Sequence, residues 1–400
     1  ADTPRDLLLW LSDPVHTRAK WGNDKWAAFC SRCKAEYGFD PEGEGELVAA
    51  EKLGLRDTEV WQALWERYAE SPVLYPGIPD LLRRAKPARL IFDREPWPDE
   101  NEAEEDSLRQ SLLELERLSP ADARQRIEEL EKEHGARREW IWARLGQSPL
   151  AETLKHLVTL ARKTAQGLGG DSPKAMADLY TESGYLADDA VLKAIGSVKS
   201  SEDARAIQVA IRSIYLPWLE DTTRHFQDLI ATFPLPNVAS KTQTLIAANP
   251  GQCLLFVDGL RFDIARRLVA MAEERQLQVN INWRWAGLPT VTATAKPAVS
   301  PIAGKLSGDL PGEDFIPETA EANLSLTPDR FRKLLTEAGY QVFNSFETGN
   351  PDEPGARGWT EFGEFDRLGH TLQSRLAASI DEQLELVVDR IQDLLEAGWK

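Results

Sequence analysis

Cysteine is scarce in this sequence, which has three cysteines in 400 residues: Cys30, Cys33 and Cys253. Such a small, odd number excludes a small disulfide-stapled domain and favours a reducing compartment, so we expect a cytoplasmic protein. The sequence also lacks any apolar run near the ~20 residues that span a bilayer, and it begins without the apolar core of a secretory signal. We therefore expect no membrane partner.

Basic residues are outnumbered, because 47 lysines and arginines against 65 aspartates and glutamates leave a formal net charge of −18. Such an acidic balance argues against a protein whose main task is to wrap a phosphate backbone. A nucleic-acid partner would need local cations or metal ions. The densest basic stretch, residues 83–89, is better explained as a solvated helix end than as a nucleic-acid site.

Apolar residues, in contrast, are plentiful: they make up 42% of the chain, which also contains 13 tryptophans. This composition excludes a disordered or collagen-like chain, and the length is two to three times that of a usual domain. We predict three segments: a helical domain over 1–98, a helical hairpin and connector over 99–245, and an α/β domain over 246–400. The predicted fold class is α + α/β.

The helical prediction rests on spacing, because apolar residues recur every three to five positions through about the first 240 residues. From Leu108 to Leu145 this spacing predicts two long amphipathic helices joined around Ser119-Pro120.

The pattern changes at residues 253–257, a continuous apolar run that is typical of a parallel strand buried on both faces. Strands and helices then alternate, which predicts an α/β domain with a mainly parallel sheet. The predicted elements are a helix over 264–274, a strand over 277–285, a helix over 327–338 and a strand over 340–343. A last amphipathic helix, with Leu376, Ile380, Leu384 and Ile391 on one face, should pack against the sheet.

Asp258 follows the most strand-like segment of the chain, at the carboxyl end where ligands collect in open α/β sheets. A carboxylate at this position is able to ligate a metal ion, and Gly259 allows close approach of the backbone. The alternative is that Asp258 caps the following helix.

A hydroxyl-rich turn covers residues 288–297 and contains Thr290, Thr292 and Thr294. A threonine hydroxyl becomes a useful nucleophile only when metal coordination or a base lowers its pKa. Taken alone, the segment is better explained as a solvated turn.

Asp366 and His370 lie four residues apart and would share one face of a helix. A carboxylate and an imidazole suit a hard or borderline cation, although this spacing is common by chance.

The order of these three segments resembles the alkaline phosphatase superfamily, especially its phosphodiesterase branch. The resemblance rests on three motifs: an aspartate that ends the first strand, a Pro-Thr-x-Thr turn and a later Asp-x-x-Gly-His. The strings LFVDGLRFD at 255–263 and LPTVTATAKP at 288–297 are more narrowly similar to the PglZ family, the phosphatase component of bacteriophage exclusion (BREX) defence systems. The resemblance covers residues 250–400, and a helical part ahead of this core is also PglZ-like.

This resemblance implies a metal-dependent phosphatase or phosphodiesterase with two divalent metal ions, zinc first and manganese or magnesium as alternatives. It assigns Asp258 to one ion, Asp366 and His370 to the other, and the nucleophile to Thr292, with Thr290 and Thr294 as rivals. The family often holds phosphate with an asparagine, where this sequence has Ala295. Lys296 or Arg261 would have to substitute for it.

The superfamily also uses an Asp-His-Gly segment and a further histidine, and these 400 residues contain no such segment. We therefore expect the chain to be the N-terminal part of a longer protein and to be inactive by itself. The expected partners are other BREX proteins, such as a BrxB-type protein or the system's DNA methyltransferase, bound through the helical N-terminal region. The alternative function is a non-catalytic scaffold that docks these proteins.

Overall fold

The computed structural model describes residues 2–85, 87, 93–235, 246–287, 289–307 and 316–400. Three predictions fall partly outside these residues: the end of the basic stretch at 83–89, the domain boundary at 245, and Leu288 of the threonine turn. The chain forms two compact units, Ala1–Ala165 with Ser197–Pro217, and Gln166–Gly196 with Trp218–Lys400. The division into three consecutive domains stays a prediction.

The first unit contains helices and no strand among its described residues. These are α1 Thr3–Ser12, α2 Pro14–Tyr37, α3 Gly45–Leu55, α4 Glu59–Glu70, α5 Ile78–Arg84, α6 Pro98–Glu114, α7 Pro120–His134, α8 Ile141–Arg144, α9 Pro149–Lys163 and α12 Ser201–Thr232 up to Pro217. Side chains that accept a backbone N–H start several of them, as Asp2, Asp13 and Ser119 do for α1, α2 and α7.

Tryptophans dominate the core of this unit. Six of them are at most 5% exposed: Trp10, Trp26, Trp61, Trp65, Trp97 and Trp142. Cys30 and Cys33 are buried in the same core as free thiols. Burial raises the pKa of the Cys33 thiol to about 12, so this cysteine pair is part of the packed interior.

The second unit contains the rest of α12, eight further α- or π-helical segments, two 3-10 turns (Ala303–Lys305 and Gln373–Ala378) and five strands among its described residues. The helices are α10 Pro173–Leu179, a π-helical turn Tyr180–Gly184, α11 Tyr185–Gly196, α13 Phe262–Glu274, α14 Thr292–Ala298, α15 Pro328–Glu337, α16 Phe365–Leu372 and α17 Ile380–Glu396. The strands are β1 Cys253–Phe256, β2 Leu306–Ser307, β3 Glu318–Thr319, β4 Gln341–Val342 and β5 Gly358–Glu361.

Three of these strands form a parallel sheet in the order β1-β5-β4, and β2 pairs with β3 in a separate antiparallel pair. Phe256 of β1 lies opposite Glu361 of β5, so the two strands end at the same edge. We call this the carboxyl edge.

Helices cover both faces of the sheet. Alternate residues of β1 point to opposite sides, and each side packs against different helices. Leu254 and Phe256 pack with Phe331 and Leu335 of α15. Val257 packs on the other side with residues of α13 and α17, among them Ile264, Leu384 and Val387. The amphipathic last helix therefore packs where its apolar face predicts.

The coarse fold prediction is confirmed, since the chain is mostly helical (66%) with a small parallel sheet. The strands predicted at 253–257 and 340–343 correspond to β1 and β4, and the predicted helix at 327–338 is α15, capped by Thr327.

The strand predicted over 277–285 is wrong, because these residues have neither helical nor strand structure. Their aromatic side chains pack on one another instead. Trp283 lies edge-on to Trp285 at 5.2 Å, and Trp285 stacks on Phe226. In the part of the chain that is described, no helix is both long and apolar enough to cross a membrane.

Candidate functional site

Asp258 and Thr292 meet at the carboxyl edge of the sheet. Asp258 lies two residues beyond β1, and Thr292 is the first residue of α14. The Thr292 hydroxyl oxygen lies 3.2 Å from Oδ1 and 3.1 Å from Oδ2 of Asp258. The hydroxyl therefore donates a hydrogen bond to the carboxylate, and the fold brings together two of the segments that the sequence singled out.

The two rival threonines are placed differently. The hydroxyl of Thr294 is buried and donates to the carbonyl oxygens of Pro289 and Val291, the latter at 3.0 Å. Thr290 is exposed, and its side chain forms no hydrogen bond to any described residue. Of the three, Thr292 is the one that contacts the Asp258 carboxylate.

The first turn of α16 lies directly against the loop that carries Asp258. Gly259 has φ of +74°, and a β-carbon there would be 2.8 Å from the backbone nitrogen of Asp366. On α16 itself, His370 Nε2 is 3.7 Å from Asp366 Oδ1, and the two side chains are 81% and 47% exposed. The predicted pairing of a carboxylate and an imidazole on one helix face is therefore present.

Glu361 is a site residue that sequence reasoning missed. It ends β5 at the carboxyl edge, and its Oε2 accepts a 2.6 Å hydrogen bond from Lys296 Nζ. Its other oxygen accepts a bond from Trp359 Nε1 at 3.3 Å. A carboxylate that ends a parallel strand is a usable signal, but β5 has no apolar run that would mark it as a strand in the sequence.

Lys296, predicted to bind phosphate, is thus paired with Glu361. Its ammonium group also lies 5.8 Å from the ring centroid of Phe256 and 5.3 Å from that of Phe331. An ion pair and two aromatic faces hold this side chain at the carboxyl edge.

Arg261, the second phosphate-binding candidate, is directed toward a different acidic group. Its guanidinium lies 3.1 and 3.2 Å from the two oxygens of Asp263 and 3.9 Å from Asp188. Burial raises the pKa of Asp263, Arg261 opposes this rise and Asp188 adds to it. Both candidates for phosphate binding therefore already have carboxylate partners.

The donor atoms at this edge suit a divalent cation in type, because carboxylate, hydroxyl and imidazole groups ligate zinc, manganese or magnesium. Their number is smaller than such a cation usually takes from protein. Among the described residues no group of three or more His, Cys, Asp or Glu side chains is placed to hold a metal ion. The described residues thus provide two pairs of polar side chains at this edge, Asp258 with Thr292 and Asp366 with His370.

The fold and the site define a class of architecture, a helix-covered parallel sheet with an aspartate–threonine pair at its carboxyl edge. No protein-family model, curated protein or solved structure matches this chain.

Proposed function

We propose that this chain belongs to the PglZ family of the alkaline phosphatase superfamily and is a cytoplasmic component of BREX phage defence. Its activity is the metal-dependent hydrolysis of phosphoric esters. The observation that carries the proposal is the contact of the Thr292 hydroxyl with the Asp258 carboxylate at 3.1–3.2 Å, at the edge of the sheet where ligands collect.

In this proposal Thr292 is the nucleophile. Its oxygen bonds to phosphorus and its proton passes to solvent. The bond from phosphorus to the ester oxygen breaks, and that oxygen leaves with the bonding electron pair and takes a proton from solvent. Asp258 accepts the hydrogen bond that orients the attacking oxygen. Water then attacks the phosphothreonine, releases phosphate and returns a proton to Thr292.

The proposed ligands are Asp258 for one cation and Asp366 with His370 for the other. Bound zinc, manganese or magnesium would supply the positive charge that lowers the pKa of the hydroxyl and neutralises the phosphate oxygens. For Lys296 and Arg261 to contact phosphate, each would exchange a carboxylate partner for it. Since each ligand pair is small, we expect these 400 residues to bind metal weakly and to hydrolyse little.

Hydrolysis of bis-p-nitrophenyl phosphate with zinc, manganese or magnesium added tests the proposal. It should be measured for these 400 residues and for the full-length protein that the resemblance implies. We expect turnover by the full-length protein to fall at least 100-fold in Thr292→Ala and in Asp258→Asn, while Thr290→Ala stays within twofold of wild type. Unchanged turnover in both site variants would reject the assignment.

A second candidate function is a non-catalytic scaffold that docks a BrxB-type protein or the DNA methyltransferase through the helical N-terminal region. The observation that favours it is that Lys296 and Arg261 are both paired with carboxylates. Phage plating on cells that carry Thr292→Ala separates the two functions. A scaffold keeps full protection in this variant, and a hydrolase loses it.

A further inference from the structure

The second unit contains a cavity of about 290 Å³ beside the first turns of α13. Three segments supply its walls: residues 178–182, the start of α13 and residues 281–283. The residues that matter below are Asp178, Glu182, Phe262, Arg266, Asn282 and Trp283. Its volume is at the lower limit for small-molecule sites, which suits one substituted ring system.

Arg266 is the unsatisfied group of this cavity. Its Nε is buried without a hydrogen-bond partner, and its side chain forms no ion pair or hydrogen bond to any residue in the described ranges. The guanidinium carbon lies 5.3 Å from the ring centroid of Tyr185. A buried donor without a partner is costly, so an acceptor-bearing group in the cavity would be bound favourably.

The acidic residues of the cavity have different roles. Asp178 is neutralised by Lys174 at 2.6 Å and accepts the indole N–H of Trp283 at 3.2 Å, which holds this ring in the wall. Glu182 is exposed and has no partner among the described residues. The wall therefore offers a ligand one guanidinium, one carboxylate, one amide and two aromatic rings. The Trp283 ring also has the Lys174 ammonium group 5.9 Å from its centroid, and Phe262 packs edge-on with Tyr185.

We propose that this cavity binds a nucleobase, and guanine in particular. Guanine has two acceptors, O6 and N7, for the Arg266 guanidinium, and N–H donors on its other edge for Glu182. Its flat face suits Trp283 and Phe262, because bases stack on aromatic side chains. Adenine has an amino donor at N6 where guanine has the O6 acceptor, so it does not offer two neighbouring acceptors to an arginine.

The cavity is also close to the aspartate–threonine pair. Phe262 follows Asp258 by four residues, so their α-carbons are at most ~14 Å apart. A nucleotide whose base occupies the cavity would reach Thr292 if its phosphate extends along the loop from Phe262 towards Asp258. This extension, that the substrate is a guanosine phosphodiester, rests on the proposed function.

Calorimetric titration with GMP tests the binding site, with ribose 5-phosphate as the control for recognition of phosphate alone. We expect GMP to bind at least tenfold more tightly than ribose 5-phosphate. Arg266→Gln and Glu182→Gln should each weaken GMP binding at least tenfold. Arg332→Gln, which removes an exposed arginine of α15, should leave it within twofold. Circular dichroism melts show whether each variant folds. Because Glu182 is exposed, Glu182→Gln tests the site even if Arg266→Gln is unstable.

The inference is overturned if GMP does not bind, if ribose 5-phosphate binds as tightly, or if neither site variant changes the affinity. Thr292→Ala separates it from the proposed function, because this variant should keep GMP binding. Hydrolysis of bis-p-nitrophenyl phosphate without GMP binding would overturn only the cavity site. GMP binding without any hydrolysis by the full-length protein would leave the cavity site and overturn the proposed function.

Discussion

Gly259 and Asp366 lie so close together that no side chain fits between them. A β-carbon on Gly259 would lie 2.8 Å from the backbone nitrogen of Asp366 and 3.2 Å from its α-carbon. This contact sets the start of α16 against the loop after β1. Because Gly259 directly follows Asp258, the contact places Asp366 beside the loop that carries Asp258.

The first prediction is that Gly259→Ala destabilises the protein more than its backbone angle alone explains. A left-handed backbone costs a non-glycine residue ~1–2 kcal/mol, and displacing α16 should add roughly 1–3 kcal/mol. Urea unfolding gives the free energy. Gly251→Ala is the matched control, because Gly251 also has positive φ, +82°, but a β-carbon there would meet nothing within 4 Å. Equal losses in the two variants would mean that the close approach to α16 has no energetic role.

The second prediction separates the three threonines by stability as well as activity. Thr294→Val should cost about 1 kcal/mol of unfolding free energy, because the buried hydroxyl of Thr294 donates to backbone carbonyls that would lose their partner. Thr290→Val and Thr292→Val should change stability by less than about 0.5 kcal/mol, as is usual for exposed positions. Thermal melts of the three variants measure this order, and a Thr292→Val variant less stable than Thr294→Val would contradict it.

The third prediction concerns the ion pair of Lys296 and Glu361. A double-mutant cycle with Lys296→Met and Glu361→Gln should give a coupling energy of ~1 kcal/mol. The two charged groups are 2.6 Å apart and partly shielded from water, since their side chains are 23% and 36% exposed. The pair Lys333 and Glu337 is the control, since it is 3.7 Å long and 75% and 51% exposed.

We expect ~0.3–0.5 kcal/mol for this helical control pair. Both couplings should fall as salt is added, and the exposed pair should lose more of its value. A coupling at Lys296 and Glu361 no larger than the control value would show that the pair is not held in place at the carboxyl edge.

The fourth prediction concerns pH and Asp263, whose pKa burial raises above the ordinary 3.8. An acid with a raised pKa in the folded state destabilises that state when it ionises. This cost is absent below pH 3.8 and grows as the pH rises through the raised pKa. Asp263→Asn should therefore gain stability relative to wild type as the pH rises from below 4 to 7, by ~1.4 kcal/mol for each unit by which the pKa is raised.

Unfolding of the two proteins at several pH values measures this trend. Asp352→Asn is the control, because Asp352 is exposed and its substitution removes a carboxyl group without changing the packed interior. A pH-independent difference for Asp263→Asn would show that its carboxyl group ionises as it does in water.

Local sequence patterns predicted the elements that are marked by consecutive residues, such as an apolar run or the residues that start and end a helix. The apolar run at 253–257 is β1, and the Thr-Pro start with a following glycine bounds α15. The same reasoning failed at 277–285, where tryptophans pack against one another and not into a sheet. It also missed β5, because Gly358–Glu361 has no apolar run, although β5 is the central strand of the parallel sheet.

The candidate site shows the same division. The sequence by itself determined which residues have the chemistry, because Asp258, the three threonines and the Asp366–His370 spacing are all visible in a linear pattern. Only the tertiary structure decided which threonine contacts Asp258, that Glu361 pairs with Lys296, and that Gly259 lies against α16. These contacts join residues that are 34, 65 and 107 positions apart, and strand pairing and helix packing bring such residues together without leaving a local trace in the sequence.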